Sequence, residues 1–135
     1  MAVQKSVAVR NAELDAIEAE IGTSAVLKIF TGSQPADCAA ADSGTLLATL
    51  SLPVDWMAAA SGGTKALAGT WEDLTADDTG TAGHWRLYAS DGTTCGLQGD
   101  VTATGDGGAL QVSSVDFVTG GSVTVTAFPW TAGNA

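Results

Sequence analysis

Gly83-His84-Trp85-Arg86-Leu87-Tyr88-Ala89-Ser90, followed by Asp91-Gly92 and the return Thr93 to Thr102, is the stretch that decides the fold. Trp85, Leu87 and Ala89 alternate strictly with His84, Arg86 and Tyr88, the period of two that marks a half-buried strand. Asp91-Gly92 is placed to supply the two positive φ angles of a type I′ turn, so the whole reads as a β-hairpin. Working outward, the same period recurs in Ala25–Thr31, with Leu27 and Ile29 on one side, and in Leu46–Leu52, with Leu46, Ala48, Leu50 and Leu52 on one side. Pro53 ends that strand or leaves it at an edge. Lys65–Glu72, Leu110–Ser114 and Ser122–Trp130 read as further strands. Turn signals separate them at Gly62-Gly63, at Thr104-Gly105-Asp106-Gly107-Gly108 and at Gly120-Gly121, while Thr31–Gly44 and Asp73–Gly83 read as loops. Asp55–Ala60 fits neither period. The expectation is a mainly β fold, a β-sandwich or jelly-roll-like barrel of about seven or eight strands with one N-terminal α-helix.

The helix comes from the first twenty-two residues. Ser6 is a cap residue, Val7, Leu14, Ile17 and Ile21 share one helical face, and Gly22 stands where a C-cap glycine belongs. Glu13, Glu18 and Glu20 oppose the helix dipole toward its C-terminal end. This helix therefore needs packing to persist, against its own β-domain or against another subunit. The chain divides into an N-terminal arm and amphipathic helix, 1–22, and a single β-domain, 23–135.

Composition narrows the function. The 135 residues carry five Lys and Arg against fifteen Asp and Glu, a formal net charge of −10, with one His and two Cys. A chain this long buries roughly two-thirds of its unfolded surface, enough for one core. An acidic balance argues against nucleic-acid binding. One His and two distant Cys do not make a zinc site of the usual spacing. No apolar run reaches the ~18 residues of a membrane span. Met1-Ala-Val-Gln-Lys-Ser lacks the apolar region of a signal peptide, so the protein is expected to be soluble and made in a cytoplasm.

No candidate chemistry stands out. His84 lies mid-strand and is expected at the surface or an interface; no G-x-S-x-G elbow accompanies it. Glu72, Asp73, Asp77 and Asp78 are hard-cation ligand types, but their spacing matches no EF-hand loop, and a solvated loop is the simpler reading. Two carboxylates suffice for glycoside hydrolysis, but the chain is short for a deep cleft. The glycines at 105–108 lack the Gly-Lys-Ser/Thr ending of a phosphate loop. Trp71 and Trp85 are expected in the core, and Trp56 and Trp130 at an edge or interface. Cys38 and Cys95 permit one disulfide if their Cα atoms come within ~7 Å, whereas a reducing cytosol favours two half-buried thiols.

Several segments together resemble a group of short structural proteins of tailed bacteriophages. They are Arg10-Asn11-Ala12-Glu13-Leu14-Asp15-Ala16-Ile17, Leu27-Lys28-Ile29-Phe30-Thr31-Gly32-Ser33-Gln34-Pro35-Ala36 and Leu46-Leu47-Ala48-Thr49-Leu50. Trp85-Arg86 with Ser90-Asp91-Gly92-Thr93, Gly99-Asp100-Val101 and Gly121-Ser122-Val123-Thr124-Val125-Thr126-Ala127-Phe128 complete the set. They are the N-terminal helix, turns and core strands, and the two cysteines are not features of the group. The resemblance implies a non-enzymatic virion component, best matched by a capsid decoration or cement protein that bridges capsid subunits on the outer surface of the head. It implies the major capsid protein as partner, self-association as a homotrimer, and no cofactor, nucleic acid or membrane. The candidate interface is Lys5, Val7, Arg10, Leu14, Ile17, Ile21, Trp56 and Trp130. The alternatives are a tail, neck or baseplate component, or a host-glycan-binding module using Trp56 and Trp130.

Overall fold

The computed structural model describes residues 3–132. These described residues form one helix, α1 (Val7–Ile21), and ten strands: β1 (Val26–Thr31), β2 (Leu46–Ser51), β3 (Thr64–Lys65), β4 (Glu72–Asp73), β5 (Gly80–Tyr88), β6 (Cys95–Ala103), β7 (Leu110–Val112), β8 (Asp116–Phe117), β9 (Val123–Ala127) and β10 (Trp130–Thr131). Seven of them run in the order β2-β1-β5-β6-β7-β9-β4, with β8 pairing β5, and β10 pairs β3 separately. The terminal strands of the path approach each other: the Thr49 N–H of β2 donates to the Asp73 carboxylate of β4 at 3.0 Å. The result is a nearly closed β-barrel with one helix against it.

The long central strands form because their inward residues match in register. Leu27 faces Leu87 and Ile29 faces Trp85 across β1–β5, and Leu87 faces Leu97 across β5–β6. Inside lie Leu27, Ile29, Leu50, Leu87, Leu110 and Val112, all fully buried. Around them all four tryptophans join one aromatic cluster through Phe128. Ring centroids are 4.8 Å apart for Trp85–Phe128, 5.0 Å for Phe128–Trp130, 5.4 Å for Trp71–Phe128 and 5.9 Å for Trp56–Trp130. The tilted and edge-to-face arrangements are those that aromatic quadrupoles favour.

Three local expectations change, and one pairing is new. The hairpin is present, but its turn is not type I′: Gly92 has φ 72° while Asp91 stays in the ordinary region. Instead the Asp91 carboxylate accepts the Thr93 and Thr94 N–H groups, an Asx turn within a longer loop. The single strand expected at 65–72 is two short ones, because the chain between them bends so that Leu67 bridges Met57 and Trp71 turns into the core. Trp56, expected at an edge or interface, is fully buried; its indole N–H donates to the Gly22 carbonyl at 2.8 Å. The new pairing is that of β6 and β7, which run in parallel, Val101 beside Leu110, across the expected turn, here residues 104–109. Parallel neighbours ordinarily need a dozen or more connecting residues. Here Gly105 at φ 89° and Gly107 at φ 84° permit the tight reversal, and the Asp100 carboxylate and Thr102 hydroxyl take the Ala109 and Gly108 N–H groups.

The outer side of β5 is the largest departure from expectation. His84, Arg86 and Tyr88 alternate with the core residues but are buried as well, which corrects the surface placement of His84. The loop between β1 and β2, residues 32–45, crosses over them as a strap. At Gly83 the strap's backbone comes so close that a Cβ would overlap the Gly32 carbonyl.

Candidate docking surface and the sealed polar face

Helix α1 is bounded as its sequence dictates. The Ser6 hydroxyl accepts the Val9 N–H at 3.2 Å, and the Gly22 N–H closes on Glu18 at 2.9 Å. Leu14 and Ile21 are buried against the barrel and Ile17 is half-buried. Polar clamps fix the same face. The Gly63 N–H donates to Asn11, the Ala60 N–H donates to Asp15, and Arg10 donates through Nε to the Ala132 carbonyl at 2.9 Å. Lys65, almost wholly buried, reaches Asp15 at 2.6 Å and Glu18 at 3.5 Å. The hydrogen bond from Lys65, with that from Ala60, holds the Asp15 carboxyl below its ordinary range, while burial pushes Glu18 up. Of the two packings open to this helix, its hydrophobic stripe takes the chain's own β-domain.

The candidate interface residues therefore separate. Leu14, Ile21 and Trp56 are core and are not available to a partner. Lys5 bridges Glu13 at 3.1 Å, and Arg10 is held as above. Val7 belongs to the stripe of Leu14 and Ile21 but is half-exposed, at the first residue of α1. Val3 and Val9 are exposed beside it in sequence. Ile17 and half-buried Trp130 line an open apolar groove between α1 and β6. It consists of two adjoining hollows of about 280 and 340 Å³ that share Ile17 and Leu97. Along this groove β6 has only β5 as a strand neighbour, since β7 takes its other edge only from Val101 onward. The structure thus brings Ile17 and Trp130 together along one groove, leaves Val7 exposed in the first turn of α1, and withdraws Leu14, Ile21 and Trp56.

The charges divide as sharply. Each of the five basic side chains is bonded within the chain: Lys5 and Lys65 to carboxylates, Arg10 to Ala132, Lys28 to the Gly92 carbonyl at 3.0 Å, and Arg86 beneath the strap. The outward charge is left to carboxylates. In the 72–78 segment Asp73 and Asp77 are tied to Thr49 and Asp78 to the Thr79 N–H, so this acidic loop is a structured turn. Among the described residues no group of three or more His, Cys, Asp or Glu is arranged to hold a metal ion.

Beneath the strap lies a second assembly that the sequence did not reveal. Arg86 donates to Asp42 at 2.5 Å and to the carbonyls of Ala40, Cys38 and Asp37 at 3.0, 3.0 and 3.2 Å. Tyr88 donates its hydroxyl to the same Asp42 carboxylate. Burial works to raise Asp42, but the hydrogen bonds from Tyr88 and Arg86 prevail and hold it below the ordinary carboxylate range. Burial, helped by Asp42, pushes the Tyr88 phenol up. His84 stacks on Phe30 at 5.1 Å and its Nδ1–H donates to Gly32 O at 2.9 Å. Gln98 donates to Pro35 O at 2.7 Å. Five carbonyls of an irregular loop and one carboxylate are satisfied by four strand side chains, His84, Arg86, Tyr88 and Gln98, a solution to the burial of a polar backbone. Asp37 and Asp42 in a loop of mostly small residues were the available signal, but nothing in their spacing pairs either with Arg86. Comparison with protein-family models, curated proteins and solved structures finds no match for the chain.

Proposed function

We propose that the chain is a non-enzymatic structural protein of a bacteriophage virion, a decoration or cement protein bound to the outer surface of the head. The observation that carries the reading is the split surface. A barrel whose five cations are all bonded internally presents carboxylates outward, and it offers apolar surface at exposed Val7 and in the groove of Ile17, Leu97 and Trp130, with Val54, Leu74 and Val118 exposed as well. That surface fits a partner patch that is apolar and ringed by basic groups, the complementarity that sets register and orientation. The resemblance of the helix, strand and turn segments to phage structural proteins supplies the class of particle.

The mechanism is mechanical. A protein that binds only the closed shell stabilises that state by its binding free energy, and many copies make the effect collective. The major capsid protein is the proposed partner, with three copies of the chain meeting around a local three-fold position. A tail, neck or baseplate location is the alternative within the same class. A glycan platform of Trp56 and Trp130 loses one of its two rings to the core.

The test is sedimentation of purified protein with heads that lack it. Wild-type chain co-sediments to saturation, raises the temperature at which the heads release DNA, and binds less tightly as salt rises. Val7→Asp and Ile17→Asp fold but bind at least tenfold more weakly. Absence of binding together with unchanged heat resistance would overturn the reading.

A further inference from the structure

The strap and the hairpin bring the two cysteines together. Cys38 sits in the strap and Cys95 opens β6, 57 residues later, yet their Sγ atoms lie 2.6 Å apart, inside the ordinary separation of two non-bonded sulfurs. Each is fixed by a different device. The Cys38 carbonyl accepts from Arg86 Nη2 at 3.0 Å, and Cys95 is in register opposite Tyr88. Both are half-buried and both are thiols here. A cysteine pair this close, positioned from two sides by bonds that do not involve sulfur, needs no rearrangement of the backbone to be joined. Reducing cytosol keeps such a pair open, and an oxidising exterior closes it.

We infer that Cys38 and Cys95 are a site of oxidative cross-linking that fastens the strap to β6 once the protein leaves a reducing compartment. With a disulfide oxidant such as oxidised glutathione, one cysteine thiolate attacks a glutathione sulfur and expels one glutathione thiolate, leaving a mixed disulfide. The other cysteine attacks the protein sulfur of that adduct and expels the second glutathione. Two electrons pass from the cysteine pair to the oxidant, and the two thiol protons end on two glutathione thiols. Burial, with the neighbouring Cys38 thiol, holds the Cys95 thiol above its ordinary range, which makes it a poorer nucleophile, so the second, intramolecular step rests on the closeness of the two sulfurs. The bond closes a loop over Arg86, Tyr88 and Asp42 and removes the strap's freedom to lift. Its formation does not depend on the virion reading. Only its timing, after release of particles from the cell, rests on that reading.

The experiment uses the full chain, purified in dithiothreitol, then exchanged into oxidised glutathione. Expected are a mass loss of two hydrogens, no thiols alkylated after denaturation, and a Cys38–Cys95 linked peptide in a non-reducing digest. The melting temperature rises by on the order of 10 °C and falls back when reductant is restored. Cys38→Ser and Cys95→Ser fold but show no such rise. Two alkylatable thiols, a persistent glutathione adduct, or a disulfide between two chains would each overturn the inference. Purified virions carrying the bond, with thiols in heads taken from unlysed cells, support the timing. Linked peptide in the purified chain but no protein in virions would leave the bond standing and sink the virion reading.

Discussion

The two sides of β5 are both closed to water, by opposite means. Inward, Trp85 and Leu87 meet Phe128, Leu27 and Leu97, and the burial is apolar. Outward, Arg86 and Tyr88 meet a carboxylate and loop carbonyls, and the burial rests on directed hydrogen bonds. The inner side loses free energy in proportion to the volume removed. The outer side loses it when a single partner leaves others unsatisfied. One strand thus carries a core that tolerates pH and a seal that does not.

The most damaging way to break this arrangement is from inside. Phe128→Ala removes the ring that joins Trp71, Trp85 and Trp130 and should cost about 4 kcal/mol in denaturant unfolding. Arg86→Met breaks the outer side instead. It strands Asp42 and three loop carbonyls and should cost about 3 kcal/mol, less than for a fully buried ion pair because Asp42 is half-exposed. Arg86→Met with Asp42→Ala should recover part of that loss, which a double-mutant cycle would measure. A fully additive cycle would mean the seal is not an ion pair in function.

Acid separates the sides without mutation. The native pKa of Asp42 lies below its unfolded value, so its contribution is present above about pH 4 and is lost as pH falls through the native pKa. Asp15, which clamps α1 through Lys65, follows the same sign, and Glu18, shifted upward, the opposite one: its contribution is present below its unfolded pKa and lost as pH rises through the native one. Protection of the amides in residues 32–45, measured against their intrinsic exchange rate at each pH, should therefore fall on acidification before the near-ultraviolet signal of the tryptophan cluster changes. Simultaneous loss of both would show that the strap is not a separate unit. The smallest expected effect is that of Val7→Asp on stability, within about 0.5 kcal/mol, since the residue is half-exposed at the start of α1.

These contrasts explain what the sequence could disclose. Ser6 and Gly22 bound the helix because capping is local chemistry, and the 83–102 hairpin is legible because a period of two needs no distant partner. The strap was not legible. Alternation in His84-Trp85-Arg86-Leu87-Tyr88 is the same whether the polar side meets water or a polar loop, and the segment that covers it is about 45 residues away. Trp56 was misplaced because Asp55–Ala60 has no period to assign a side; its burial follows from its contacts with Trp71, Trp130 and the helix end. The docking surface was half legible. The stripe Val7, Leu14, Ile17 and Ile21 marks an adhesive face, but only the fold shows that the barrel takes Leu14 and Ile21 and leaves Val7 and Ile17 at the rim.

The central claim, that this split surface serves attachment to a phage head, is tested most directly by locating and counting the protein in purified virions. Quantitative mass spectrometry of virions, with antibody labelling in electron micrographs, should find many copies spread over the head. A few copies confined to the tail or neck, or none in the particle, would contradict it.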